Sequence, residues 1–141
     1  MTDQELTELL SETREIAVIG ASPDTSRSSN SIARRLLNLG RNIHPVNPNY
    51  KMVLERPSLP TMQDLSHEIK VDIALIFRNP DDAPESVKDI ITYSQDRGLK
   101  PVVWTQPGAH SEVSQNMAEA AGLTYIGNQC IAVEYARLQL T

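Results

Sequence analysis

Five short apolar runs recur along the chain, at Ile16–Gly20, Ile43–Val46, Val71–Phe77, Pro101–Thr105 and Thr124–Gly127, separated mainly by segments with helical periodicity. This alternation constrains the fold more than any other feature. Runs that are apolar at nearly every position suit strands covered on both faces, and strands joined through crossover helices lie parallel. Ile32, Leu36, Leu37 and Leu39 give the first crossover helix an apolar stripe, with serines or Asn30 placed to cap it and Gly40 to end it. A second helix is expected from Asp82 as its cap, with Pro84 in the first turn and Val87, Ile90, Ile91 and Ser94 on one side before Gly98. A third begins near Ser111, buries Val113, Met117 and Ala120, and stops at Gly122. Thr61–Ile69 reads as a short helix and Thr2–Ser11 as an amphipathic one.

The two prolines of "LERPSLP" exclude a central strand, because proline lacks a ladder donor, and leave an edge strand around Arg56–Leu59. The whole pattern predicts an α/β fold: a doubly wound, mostly parallel Rossmann-like sheet of five to six strands with helices on both faces, in the order 3-2-1-4-5-6. Ile16–Gly20 and Val71–Phe77 are then adjacent central strands. With 141 residues and no repeat or linker, one domain spans 1–141.

The net charge is −5, from 13 basic and 18 acidic residues, and no lysine or arginine block stands out, which argues against nucleic-acid and membrane partners. The amino-terminal "MTDQELTELLSETREI" carries acids where a signal peptide carries bases, and no apolar run approaches the ~20 residues of a membrane span. Cys130 is the only cysteine, so no intramolecular disulfide can form. A soluble, cytoplasmic protein is expected, with a homo-oligomer left open. His44, His67 and His110 share no ligand spacing, and no metal site is expected.

Ligands of such a sheet sit beyond the carboxyl ends of the strands where the winding reverses, here between the runs ending at Gly20 and Phe77. Gly20 permits a tight turn, Ala21 and Ser22 supply backbone donors and a hydroxyl, and Arg27 is the only cation of the loop. Ser28, Ser29 and Asn30 fall at the helix amino terminus, where free amides and the helix dipole favour an anion. The same composition also describes a solvated loop that caps a helix. The absence of Gly-Lys-Ser/Thr excludes a P-loop. At the next strand end, "HPVNPNYK" lacks the acid with which a nicotinamide enzyme binds ribose hydroxyls. Pro45 and Pro48 stiffen that segment, Asn47 can hydrogen-bond, and Lys51 adds a positive charge. An adenosine bearing a ribose phosphate suits it, the 3′-phosphate of coenzyme A or the 2′-phosphate of NADP.

In order along the chain, "IAVIGAS", "HPVNPNY", "VDIALIFRNPDD", "VVWTQPGAHSE" and "AEAAGLTYIGNQCIAVEYARL" resemble the small stand-alone CoA-binding proteins, relatives of the CoA-binding domain of succinyl-CoA synthetase. The similarity runs from Ile16 to Leu138. It implies a Rossmann-like fold and a small-molecule nucleotide ligand, coenzyme A or an acyl-CoA. The pocket it implies comprises Gly20, Ala21, Ser22 and Arg27; Pro45, Asn47, Pro48 and Lys51; Phe77, Arg78 and Asn79; and Trp104 and Gln106. No catalytic residue is implied. Asn128-Gln129-Cys130 stands where the family has Asp-Arg-Cys, Glu134-Tyr135 where it has Glu-His, and "WTQPG" where it has Trp-Met/Leu-Gln-Leu-Gly.

With those charged and imidazole groups absent, the expected role is binding, carrying or sensing the ligand. The alternatives are an NADP-dependent reductase, acyl-CoA chemistry with Gln106, Cys130 or Glu134 near the thiol, and an interaction subunit with a vestigial pocket. Individual residues carry alternatives too. Trp104 either stacks on an adenine, lines a pantetheine channel or packs at the sheet rim. Arg78 either binds pyrophosphate or pairs with Asp81 or Asp82. Cys130 is either a nucleophile toward a thioester or disulfide, or a small buried or half-buried thiol. Glu134 and Arg137 are spaced to pair on a terminal helix.

Overall fold

The structure is a computed structural model that describes all 141 residues. Its elements are α1 (Asp3–Glu12), β1 (Glu15–Ile19), α2 (Ser28–Asn38), β2 (Asn42–Val46), β3 (Met52–Val53) and β4 (Arg56–Pro57). A 3-10 turn (Met62–Asp64) follows, then β5 (Ile73–Ile76), α3 (Ala83–Arg97), β6 (Val102–Thr105), α4 (Glu112–Ala120), β7 (Tyr125–Ile126) and α5 (Ile131–Arg137). Five of the strands form one parallel sheet in the order β2-β1-β5-β6-β7. β1 pairs with β5 from Ile16↔Ile73 to Ile19↔Ile76, and neither lies at an edge. No helix is long and apolar enough to cross a membrane.

The expected sixth strand is not there. Arg56–Pro57 instead pairs antiparallel with Met52–Val53, in a hairpin turned by Leu54 and Glu55 at positive φ. Only Leu59 reaches the main sheet, donating to the Pro45 carbonyl at 3.1 Å and accepting from Asn47 at 2.9 Å. Pro57 and Pro60 flank it without backbone donors, so the ladder stops after one bridge.

Strand alternation divides the interior into two layers. Ala17, Ile19, Ala74, Ile76 and Val103 pack with Ala83, Val87, Ile90 and Tyr93 of α3 and Ala118 of α4. Ile16, Val18, Ile73, Leu75 and Trp104 pack on the other face with Leu6 and Leu10 of α1, Ala33 and Leu36 of α2, and Ile131 and Tyr135 of α5. The sheet is therefore covered on both sides, which is why its central strands β1 and β5 read as almost wholly apolar runs.

Three helical expectations need correction. In α4, Ser111 caps as expected, accepting from the Ser114 N–H at 3.0 Å, but Val113 is 58% exposed and Ala120 is exposed, while Ser114 and Ala118 are buried. Ser114 tolerates burial because its hydroxyl meets that of Ser111 at 3.0 Å. Thr61–Ile69 forms only the single 3-10 turn, because α3 supplies its hydrogen bonds: Arg97 donates to the carbonyls of Gln63, Leu65 and Ser66, and Asp89 accepts from the Met62 N–H. At the start of α3, Asp82 makes no side-chain cap; Asn79 Oδ1 accepts from the Asp82 N–H at 2.9 Å and fixes the turn.

Candidate functional site

The turns that follow β1, β2, β5, β6 and β7 gather at one end of the sheet, around the point where the winding reverses between β1 and β5. Gly20 makes that junction possible. Its φ is +85°, and a Cβ there would stand 2.3 Å from the Phe77 carbonyl oxygen. The chain then runs through a loop held from within: Asn30 Nδ2 donates to the Ser22 carbonyl at 3.0 Å, and Asn47 Nδ2 to the Ala21 carbonyl at 2.8 Å. Asp24 turns the loop by accepting from the Ser26 hydroxyl and N–H, and those bonds hold its exposed carboxyl below the usual range.

The loop delivers α2 with its amino terminus uncapped. Arg27 holds the cap position and makes no side-chain bond to the helix, so neither a serine nor Asn30 caps it. The N–H groups of Ser28 and Ser29 find no acceptor within the protein. Both residues line a cavity of ≈ 670 Å³.

Eight of the residues expected at a site come together on its walls. Gly20, Ser22 and Arg27 come from the first loop, Asn47 from the second, Phe77, Arg78 and Asn79 from the end of β5, and Gln106 from the end of β6. Two guanidiniums face the space, and no Asp or Glu lines it. Arg78 also approaches Asp82, at 3.8 Å, a separation too long for a hydrogen bond and one that leaves it available. Asp82 is itself engaged by Asn79 Nδ2 at 2.8 Å.

The other expected site residues lie elsewhere. Pro48 lines an adjoining cavity of ≈ 290 Å³, which shares Gly20, Asn47, Asn49 and Arg78 with the first and reaches the buried Ser86. Ala21 and Pro45 are buried behind the wall, and Lys51 is exposed beside the lining residue Tyr50. Trp104 is fully buried on the α5 face and donates its indole N–H to the Gln129 carbonyl at 2.7 Å. It presents no face for stacking on a ligand. Glu134, weighed as a group near a thiol, is bound by Arg137 Nε at 2.8 Å; the same arginine holds Asp3, whose carboxyl is lowered in consequence. Glu134 does not line the cavity.

Several lining residues escaped the sequence reading: Ile32, Asn49, Tyr50 and the turn Pro107–Gly108–Ala109. The Pro-Gly dipeptide one residue beyond an apolar run was the available signal, since it marks a turn at a strand's carboxyl end. Cys130 lines the cavity as well, half-buried. Its loop is tied to β6 by the Asn128 N–H to Thr105 carbonyl bond at 3.1 Å, by the Trp104–Gln129 bond, and by Gln106 Oε1 accepting from the Ile131 N–H at 2.9 Å.

A family model for the CoA binding domain matches residues 14–136. The uncharacterised protein YneT of Bacillus subtilis is 28% identical over 132 residues, 94% of this chain and 93% of its own length. A hypothetical protein from Pyrococcus horikoshii has the same fold at a TM-score of 0.89 with 33% identity, covering 99% of this chain and 93% of that one. Acetate–CoA ligase (ADP-forming) I of Archaeoglobus fulgidus is 32% identical over 74 residues, 52% of this chain and 10% of the ligase.

Proposed function

Because the chain belongs to the CoA-binding domain family, we propose that it binds coenzyme A or an acyl-CoA in the larger cavity, as a cytoplasmic binding, carrier or sensing protein. The observation that carries this reading is the cavity's charge. In a chain of net charge −5, a space walled by Arg27, Arg78 and the unpaired amides of Ser28 and Ser29, with no carboxylate, is built for an anion. Its volume falls within the ~300–1,000 Å³ typical of small-molecule sites.

The pyrophosphate lies at the start of α2, between the two arginines. The adenosine lies over Asn47–Lys51, with Lys51 at the rim for the ribose phosphate. The pantetheine arm crosses Phe77 and Pro107–Ala109 toward Cys130. Competitive calorimetry with coenzyme A, dephospho-CoA, NADP and NAD tests the assignment. Coenzyme A binds tightest and NAD weakest on this reading; NAD binding tighter than coenzyme A, or coenzyme A not binding, overturns it.

A further inference from the structure

The far end of the same cavity carries two groups that nucleotide binding leaves unused. Cys130 lines it, and Gln106, 4% exposed, lines it beside Cys130. The orientation of the Gln106 amide is fixed by chemistry. The Ile131 N–H can donate only to the amide oxygen, so Oε1 faces Ile131 at 2.9 Å and Nε2 is left with no partner in the protein. The side chain is otherwise enclosed, so this donor opens onto the cavity, where an acceptor on a ligand can take its hydrogen bond. Ser29, 6% exposed, likewise lines the cavity with a hydroxyl that has no partner within the protein.

Resting on the CoA reading above, we propose that the ligand is an acyl thioester, that Gln106 Nε2 donates to its carbonyl oxygen, and that Cys130 accepts its acyl group. The dimensions agree. From the end of β1, where the pyrophosphate lies, to the end of β7, which leads to Cys130, is three strand spacings, roughly 14 Å. A pantetheine arm is about as long as four residues of extended chain, also roughly 14 Å. The thioester therefore arrives at the part of the cavity that Cys130 lines, next to Gln106, whose Oε1 holds the following Ile131 N–H.

In the step, the Cys130 thiol gives its proton to water and its sulfur attacks the thioester carbonyl carbon. The carbonyl oxygen gains negative charge, which Gln106 Nε2–H stabilises. The bond from that carbon to the CoA sulfur breaks, and the departing sulfur takes a proton from water. Acyl-CoA and thiol become acyl-Cys130 and free coenzyme A, with no oxidant or reductant needed.

The test uses the full chain and acetyl-CoA. Intact-mass spectrometry should show one acetyl group on Cys130, formed at a rate that saturates with acetyl-CoA and is suppressed by added coenzyme A. Cys130→Ser should abolish the adduct. Gln106→Glu keeps an oxygen for the Ile131 N–H but replaces the free donor with a carboxylate, and should lower the maximal acylation rate by roughly a hundredfold. Calorimetry on the unaltered protein separates the two claims. If coenzyme A binds but acetylation is absent, or is unsaturable and no faster than that of N-acetylcysteine, the acyl-acceptor role is overturned and the CoA reading stands. If coenzyme A does not bind, both are overturned.

Discussion

The side-chain amide of Asn47 donates a 2.8 Å hydrogen bond to the carbonyl of Ala21, so the loop after β2 holds the loop after β1 in place. The same side chain accepts from the Asn49 N–H at 3.0 Å. One residue thus orders both segments assigned to the nucleotide. Asn47→Leu strands the buried Ala21 carbonyl, and urea unfolding should show a loss of about 1–3 kcal/mol, accompanied by weaker coenzyme A binding.

Gly20 should tolerate no side chain. Gly20→Ala combines a left-handed backbone with a Cβ 2.3 Å from the Phe77 oxygen, between two central strands. A loss of roughly 2–5 kcal/mol is expected, the sum of the conformational and steric costs. Gly40→Ala is the matched control: its φ is +83°, yet nothing lies within 4 Å of the added Cβ. Chemical denaturation should show that it loses only about 1–2 kcal/mol.

Arg27 is exposed and makes no side-chain hydrogen bond in the protein, so Arg27→Ala should leave the unfolding midpoint where it is. Its effect belongs to the ligand. A charge-assisted bond to pyrophosphate contributes roughly 1.5–3 kcal/mol, which makes a tenfold to somewhat over hundredfold loss of coenzyme A affinity by calorimetry.

Lys51 stands at the solvent edge, where salt screens it over about 8–10 Å. Coenzyme A should therefore bind better than dephospho-CoA by only about 1–2 kcal/mol, a gap that narrows as salt is raised. Lys51→Glu should reverse the preference, because a carboxylate repels the 3′-phosphate and accepts from free ribose hydroxyls. Equal affinities in low salt, unchanged by the substitution, would remove Lys51 from the site.

Stability at high pH should depend on Tyr135. Its hydroxyl donates to the Leu10 carbonyl at 3.0 Å and accepts from Arg41 Nε at 3.1 Å, joining α5 to α1 and to the turn after α2. Burial pushes the phenol above its ordinary value, with the Arg41 guanidinium opposing that shift. The folded chain therefore holds this proton more tightly than the unfolded one. Its contribution is complete below about pH 10 and is lost as pH rises through the folded-state value. Tyr135→Phe should cost about 1 kcal/mol near neutrality and show a smaller further loss of denaturation midpoint between about pH 8 and about pH 11 than the unaltered chain.

The strands were legible because burial on both faces leaves an unambiguous apolar signature, and Ile16–Gly20 beside Val71–Phe77 is what the sequence led one to expect. Helix faces were less so. Val113 looked like a core residue by type, but α4 turns Ser114 inward because Ser111 can satisfy it. Trp104 misled for a related reason: an aromatic residue at a strand end suggests a ligand, whereas period-two alternation sends it to the α5 face, opposite Val103. The loop positions Asn49, Tyr50 and Pro107–Ala109 have no periodicity to read. Their convergence follows from strand order, which no local pattern encodes.

The single bridge made by Leu59 also determines how copies of this chain can meet. On the outer side of β2, Pro45 offers no N–H, its carbonyl is taken by Leu59, and the Asn47 N–H is taken as well. At the opposite border β7 is only two residues long. Neither border offers a row of free donors and acceptors for strand addition, the route by which open sheets aggregate. Strand addition is therefore disfavoured at both borders of the main sheet, which can stay open-ended at high concentration without becoming a template for fibres.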